Sequence, residues 1–200
     1  EHVALDGLAL PHADAPEHVL GALGIAEDPH QVVLDGQVEA AGTGVALPAA
    51  MLPPTPKAQA TYAALHADCA ALGTRLFTVT VQDLALNVAR RAYTSHPVEY
   101  PVSGTKPLTR DGWYDHCITG QQVFVANTTP EFAKYFFDHA LITSLGLGSC
   151  INIPVINGGR VLGTINLLAE ELHFTPEKLA AYQALATTHH AALVAEMAKG

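Results

Sequence analysis

The stretch Ser149–Leu168 constrains this chain more than any other. Ser149-Cys150-Ile151-Asn152-Ile153-Pro154-Val155-Ile156 and Arg160-Val161-Leu162-Gly163-Thr164-Ile165-Asn166-Leu167-Leu168 are joined by Asn157-Gly158-Gly159. Both arms are rich in β-branched residues, and Asn and Gly accept the positive φ that a tight hairpin turn requires. The pattern predicts a long antiparallel hairpin. Pro154 has no N–H, so it is expected at an edge or a bulge. The apolar run around this hairpin is broken by Gly146, Gly148, Pro154, Asn157, Gly158 and Gly159. It therefore does not offer the roughly 18 unbroken apolar residues of a membrane helix.

The flanking segments read as helices and shorter strands. Lys57–Gly73 is a helix with Tyr62, Leu65, Cys69 and Leu72 on one stripe and Gly73 as terminator. Leu76–Val81 and Leu86–Tyr93 read as strands. Residues 94–111, with Pro97, Pro101, Gly104 and Pro107, read as a long loop. A short helix over Trp113–Thr119 and a strand over Gln122–Ala126 follow. Thr129 then caps a helix opened by Pro130 that carries Phe132, Tyr135 and Phe136. Thr175 caps a last helix opened by Pro176, with Leu179, Tyr182, Leu185, His189, Leu193 and Met197 as its apolar stripe. His189 and Cys69 are read as packed core residues. Before all this, residues 1–47 carry one helical signal (Asp14, Pro16, Val19, Leu20, Leu23) and an Asp35-Gly36 hairpin cue, and residues 48–56 form a Pro-rich linker. The expected fold is α+β: a central five- to six-stranded antiparallel sheet flanked by helices, plus a small N-terminal helix-plus-hairpin appendage. The first and last helices of the main domain, residues 57–200, are expected to pack together on one face. The appendage is too small to stand alone and is expected to dock on the domain or on a partner subunit.

Composition narrows the function. With 49% hydrophobic residues the chain can build a core, and a net charge of −9 repels polyanions, so no nucleic acid partner is expected. No Lys/Arg run marks a membrane surface. Cys69, Cys117 and Cys150 are too few and scattered for a disulfide framework, which points to the cytoplasm, and no CxxC or HExxH suggests a metal.

The hairpin words Ile153-Pro154-Val155-Ile156 and Val161-Leu162-Gly163-Thr164-Ile165, with Leu145-Gly146 before them and Phe174-Thr175 after, resemble the end of a GAF domain. The likeness spans roughly residues 57–198. Tyr93-Thr94-Ser95-His96-Pro97, Tyr100-Pro101-Val102, Gly104-Thr105-Lys106-Pro107 and Asp138–Ile142 are similar to words in small bacterial stand-alone GAF proteins. The resemblance implies a GAF/PAS-like fold. Members of the family bind cyclic nucleotides, bilins, haem or small acids, and a few are enzymes. Here the cysteines lack the clustering used by the free methionine sulfoxide reductases of this family, and a bilin-type Cys/His context is absent. No particular cofactor is implied.

The resemblance places a ligand between the sheet and residues 93–140 with the start of the hairpin. Tyr93, Tyr100, Lys106, Trp113, His116, Phe137, Asp138, His139, Cys150 and Asn152 are the expected binding set, with Arg91 or Lys106 suited to an anion and the aromatic rings to a planar ligand. His116-Cys117 and Asp138-His139 are the two pairs that could do acid–base or nucleophilic work, and a working set has to be built across them, for example Cys117 or Cys150 with His139 and Asp138, because adjacent helical residues do not face each other. Their plain alternative is a helix cap, a turn and two small buried apolar side chains. Three functions stay open: a sensor or binding module for a small, anionic or aromatic molecule; an enzyme using thiol/His redox or hydrolytic chemistry; and a dimerisation module. A homodimer through the terminal helices is expected.

Overall fold

In a computed structural model the chain is described for residues 53–83, 85–102 and 104–199. The expected appendage over 1–47 and most of the linker lie outside the described residues. The element order is α1 (Pro56–Ala71), β1 (Leu76–Asp83), β2 (Val88–Thr94), β3 (Thr105–Pro107), α2 (Gly112–Tyr114) running into a π-helical turn (Asp115–Thr119), β4 (Phe124–Ala126), α3 (Thr129–Phe132), α4 (His139–Ser144), β5 (Ser149–Asn157), β6 (Arg160–Ala169) and α5 (Pro176–Met197). The strands form one six-stranded antiparallel sheet in the order β3-β2-β1-β6-β5-β4.

The β5–β6 hairpin turns at Gly158 (φ 57°) and Gly159 (φ 76°), the backbone region the Asn-Gly-Gly sequence anticipates. β4 pairs with β5 only from Cys150 to Asn152, so β5 is an open edge by Pro154, and a register shift follows at Val155/Ile156. Alternation along β1 divides the side chains between two faces. Phe77, Val79 and Val81 meet α1 and α5 through Tyr62, Leu65, Cys69, Tyr182, Leu193 and Met197. This is the helix face, and the two terminal helices pack together on it, as expected. Leu76 and Leu168 point the other way, into a smaller core with Tyr100, Phe132, Ile142, Leu147 and Cys150. That front face is covered by the segment between β2 and β5.

Several expectations need correction. Residues 94–111 are not one loop: Thr105–Pro107 pairs with Val88–Arg90, because the free edge of β2 offers main-chain partners to the returning chain. The second strand begins at Val88, not Leu86. Asp83 Oδ1 accepts from Ala85 N and Leu86 N, and Asn87 turns with φ 54°. Thr128, not Thr129, is the N-cap of α3, where the Glu131 carboxylate accepts from Thr128 N at 3.2 Å. That helix stops at Phe132, so Tyr135 and Phe136 lie in the turn that follows, and α4 is a further short helix inside the apolar run. His189 is not merely packed: its Nε2 lies 2.7 Å from Asp68 Oδ2 and ties α5 to α1.

Candidate functional site

The front face carries a row of polar side chains where an apolar sheet would be the default. Thr78, Asn166 and Asn152 are cross-strand partners on β1, β6 and β5, so the pleat brings all three to one side. They form a directed chain. Trp113 Nε1 donates to Asn152 Oδ1 at 2.9 Å, Asn152 Nδ2 donates to Asn166 Oδ1 at 2.8 Å, and Asn166 Nδ2 donates to Thr78 Oγ1 at 3.2 Å. One row on, Thr80 Oγ1 and Thr164 Oγ1 are 2.7 Å apart. Asn152 is 5% and Thr164 1% exposed, so these groups depend on each other for hydrogen bonds. Asp111 holds Trp113 over the row by capping α2, accepting from Tyr114 N at 2.8 Å.

A charged group stands on the same side, at the β2 end. Arg91, opposite Thr80 in register, stacks its guanidinium on the Tyr100 ring (5.1 Å to the centroid) and donates from Nη1 to Pro101 O at 3.1 Å. Its Nε is buried without a partner among the described residues. The Tyr100 hydroxyl donates to Asp138 Oδ2 at 3.0 Å. Burial drives the Tyr100 pKa upward, with the Asp138 charge and hydrogen bond adding to it, so the hydroxyl stays a donor. Burial lowers the Arg91 pKa, opposed by Tyr100 and Asp138. Outside this pair, Lys106 Nζ lies 4.8 Å from the centroid of the half-exposed Phe137 ring.

The ten expected ligand residues do not all converge. Trp113 and Asn152 meet directly, as do Tyr100 with Asp138 and Lys106 with Phe137. Cys150 lies on the front face beside Ala126. His116 is turned to Val123 O (3.0 Å) and the edge of Phe124, and half-buried His139 opens α4. Tyr93 is on the other side of the sheet, paired with Val79, its hydroxyl 3.0 Å from His66 Nδ1. The shift of register at Val79/Thr80 separates Tyr93 and Arg91 onto opposite faces. Cys117 and Cys150 are fully buried. Burial pushes the Cys117 thiol up to about 12 and raises Cys150 as well, so neither is a thiolate near neutrality. Asp138 binds Tyr100 rather than a histidine. Among the described residues no group of three or more His, Cys, Asp or Glu is placed to hold a metal.

Thr78, Thr164 and Asn166 escaped the sequence reading. Their signal was present as polar residues at alternate positions of otherwise apolar strands, but the register that aligns them across the sheet is a tertiary fact.

The model of the GAF domain family matches residues 58–193. The GAF domain/HD domain protein from Geobacter sulfurreducens superposes with a TM-score of 0.59 at 12% identity, over 72% of this chain and 95% of that one. The GAF domain from a phosphoenolpyruvate-protein phosphotransferase of Coxiella burnetii does so with 0.56 at 20%, over 72% and 84%. The type II free methionine-R-sulfoxide reductase of Thermoplasma acidophilum is similar with 0.53 at 14%, over 70% and 95%. At these identities the likeness is one of fold. No curated protein aligns significantly with the chain.

Proposed function

The chain belongs to the GAF family, and from that premise we propose that it is a sensor or binding module for a small anionic or aromatic molecule, held on the front face of the sheet. The observation that carries this reading is the pairing of the Trp113–Asn152–Asn166–Thr78 chain with a half-buried Arg91 whose Nε is buried without a partner among the described residues. A buried guanidinium donor is worth most when it meets an anion, and an amide row under an indole suits a flat ligand with polar edges. The buried thiols of Cys117 and Cys150 speak for binding over thiol catalysis. All three cysteines are unpaired, which fits a reducing cytoplasm.

The test is native mass spectrometry of the purified chain against the denatured chain, followed by Arg91→Leu and Asn152→Ala. A small-molecule mass present in the native protein and lost in both variants is expected. A native protein with no added mass, and no thermal shift with anionic aromatic compounds, overturns the reading. We extend it to a homodimer. The outward faces of α1 (Ala60, Ala63, Ala64, Ala67) and α5 (Ala184, Ala191, Ala192, Ala195) are exposed and almost free of charge, a surface on which two helix pairs can pack closely.

A further inference from the structure

At the end of the sheet where α1 begins and α5 stops lies a recess of about 190 Å³, lined by Gln82, Asp83, Ala85, Arg160, Met197 and Ala198 among others. That is below the ~300 Å³ of ordinary ligand pockets, so it suits protein side chains rather than a free metabolite. Two buried side chains on the strands that end here have polar atoms without partners among the described residues. Gln82 is 9% exposed and its Oε1 has no partner among the described residues. Arg90, 5% exposed, pairs in register with Val81, next to the wall residue Gln82, and its Nε and Nη1 have none either among the described residues. Asp83, in the recess wall, and Tyr62 are the groups whose charges act on Arg90. The buried Arg90 donors call for an acceptor, whereas Gln82 Oε1 is itself an acceptor. Glu196, adjacent to the wall residue Met197, accepts from Lys199 through Oε2 at 2.8 Å, while its buried Oε1 lies 3.6 Å from Lys57 Nζ and has no hydrogen-bond partner among the described residues. Lys57 and Lys199 engage Glu196, the Asp83 charge acts on Arg90, and Arg160 stands in the recess wall.

The remainder of the chain has the complementary charge and starts at this place. Of the 19 acidic residues eight lie in residues 1–39, and none of the 10 Lys and Arg precedes Lys57. Lys57 stands at the entry to α1, within reach of Glu196. The nine residues 48–56 span up to ~30 Å when extended, enough to bring the acidic segment over the recess. We infer that this recess is the docking site of the chain's own acidic N-terminal segment, residues 1–47, with a carboxylate meeting Arg90 and the rim cations Arg160 and Lys199. The inference is independent of the front-face site.

The test uses the full 200-residue chain. Zero-length carboxyl-to-amine cross-linking of an equal mixture of light and isotope-heavy protein is expected to join Lys199 to Asp or Glu residues of 1–39 within single-isotope chains. Arg160→Glu is expected to speed amide exchange of residues 1–39 by roughly three- to tenfold, the loss of one or two surface pairs. Lys134→Glu, the same charge change away from the recess, is expected to leave that exchange as in the parent. Absence of the Lys199 link overturns the docking, as does exchange of residues 1–39 that Arg160→Glu does not alter. Links found only between light and heavy chains assign the recess to a second copy and overturn it too.

Discussion

Gly163 shows how one position can set a sheet. It pairs with Val81 across β1 and β6, and a Cβ there would overlap the carbonyl oxygen of Thr80. Gly163→Ala is therefore expected to force the central strands apart and lower stability by about 1–3 kcal/mol. A denaturation midpoint equal to the parent's would show that the strands yield freely. Trp113 is a second such residue, because its indole N–H ends the amide chain on the front face. Trp113→Phe keeps the ring and leaves Asn152 Oδ1 without its donor, for an expected loss of about 1–3 kcal/mol. Equilibrium unfolding of the two proteins side by side measures it. A loss within experimental error would mean that the bond adds nothing to the row.

Among the elements, the two long helices are held by discrete polar ties as well as by the core. α5 starts at Thr175, whose Oγ1 accepts from Lys178 N at 3.3 Å. Thr175→Ala should cost about 1 kcal/mol, while Thr175→Gly should cost only a few tenths, and thermal melts of the pair separate cap loss from general damage. α1 is tied to β2 by Gln59 Nε2 donating to Ala92 O at 2.9 Å and by the contact of His66 with the Tyr93 hydroxyl. Burial, and then the charge of His96, lower the His66 pKa below its ordinary 6.5. The unfolded chain then binds a proton that the folded one refuses. Stability from this group is complete above about pH 6.5 and falls as the pH drops from there through the folded-state pKa. Replacing His66 by Gln is expected to flatten the fall in melting temperature between neutral and mildly acid pH. An unchanged slope would assign that fall to other groups.

For the whole molecule, the division of the sheet into two faces organises everything else. One face is spent on α1 and α5, and the other is free to carry polar side chains under the α2–α4 segment. Three of the exposed alanines of α1 fall at Ala60, Ala64 and Ala67, so a single charge there meets any partner surface without touching the core. Ala64→Glu is expected to convert a dimer to a monomer of 21.0 kDa with the melting curve of a folded chain. Light scattering that finds the parent already monomeric at micromolar concentration would remove the dimer.

The local code of this chain is strong where the physics is local. Asn157-Gly158-Gly159 between β-branched arms admits little but a hairpin, and Pro56 and Pro176 behind Thr55 and Thr175 start the two helices as capping rules require. The helix stripe Tyr62, Leu65, Cys69 also pointed to its own burial. The sequence by itself therefore determined the class of fold and its family. What it could not determine is which side chains share a side of the sheet. A one-residue shift at Val79/Thr80 puts Tyr93 against α1 and Arg91 on the front, though they are two positions apart and alternation alone would keep them together. Strand β3 was equally hidden, since three residues ending in proline become a strand only because the edge of β2 lies beside them. Register and edge pairing depend on contacts between segments far apart in the chain, and only the tertiary structure decided them.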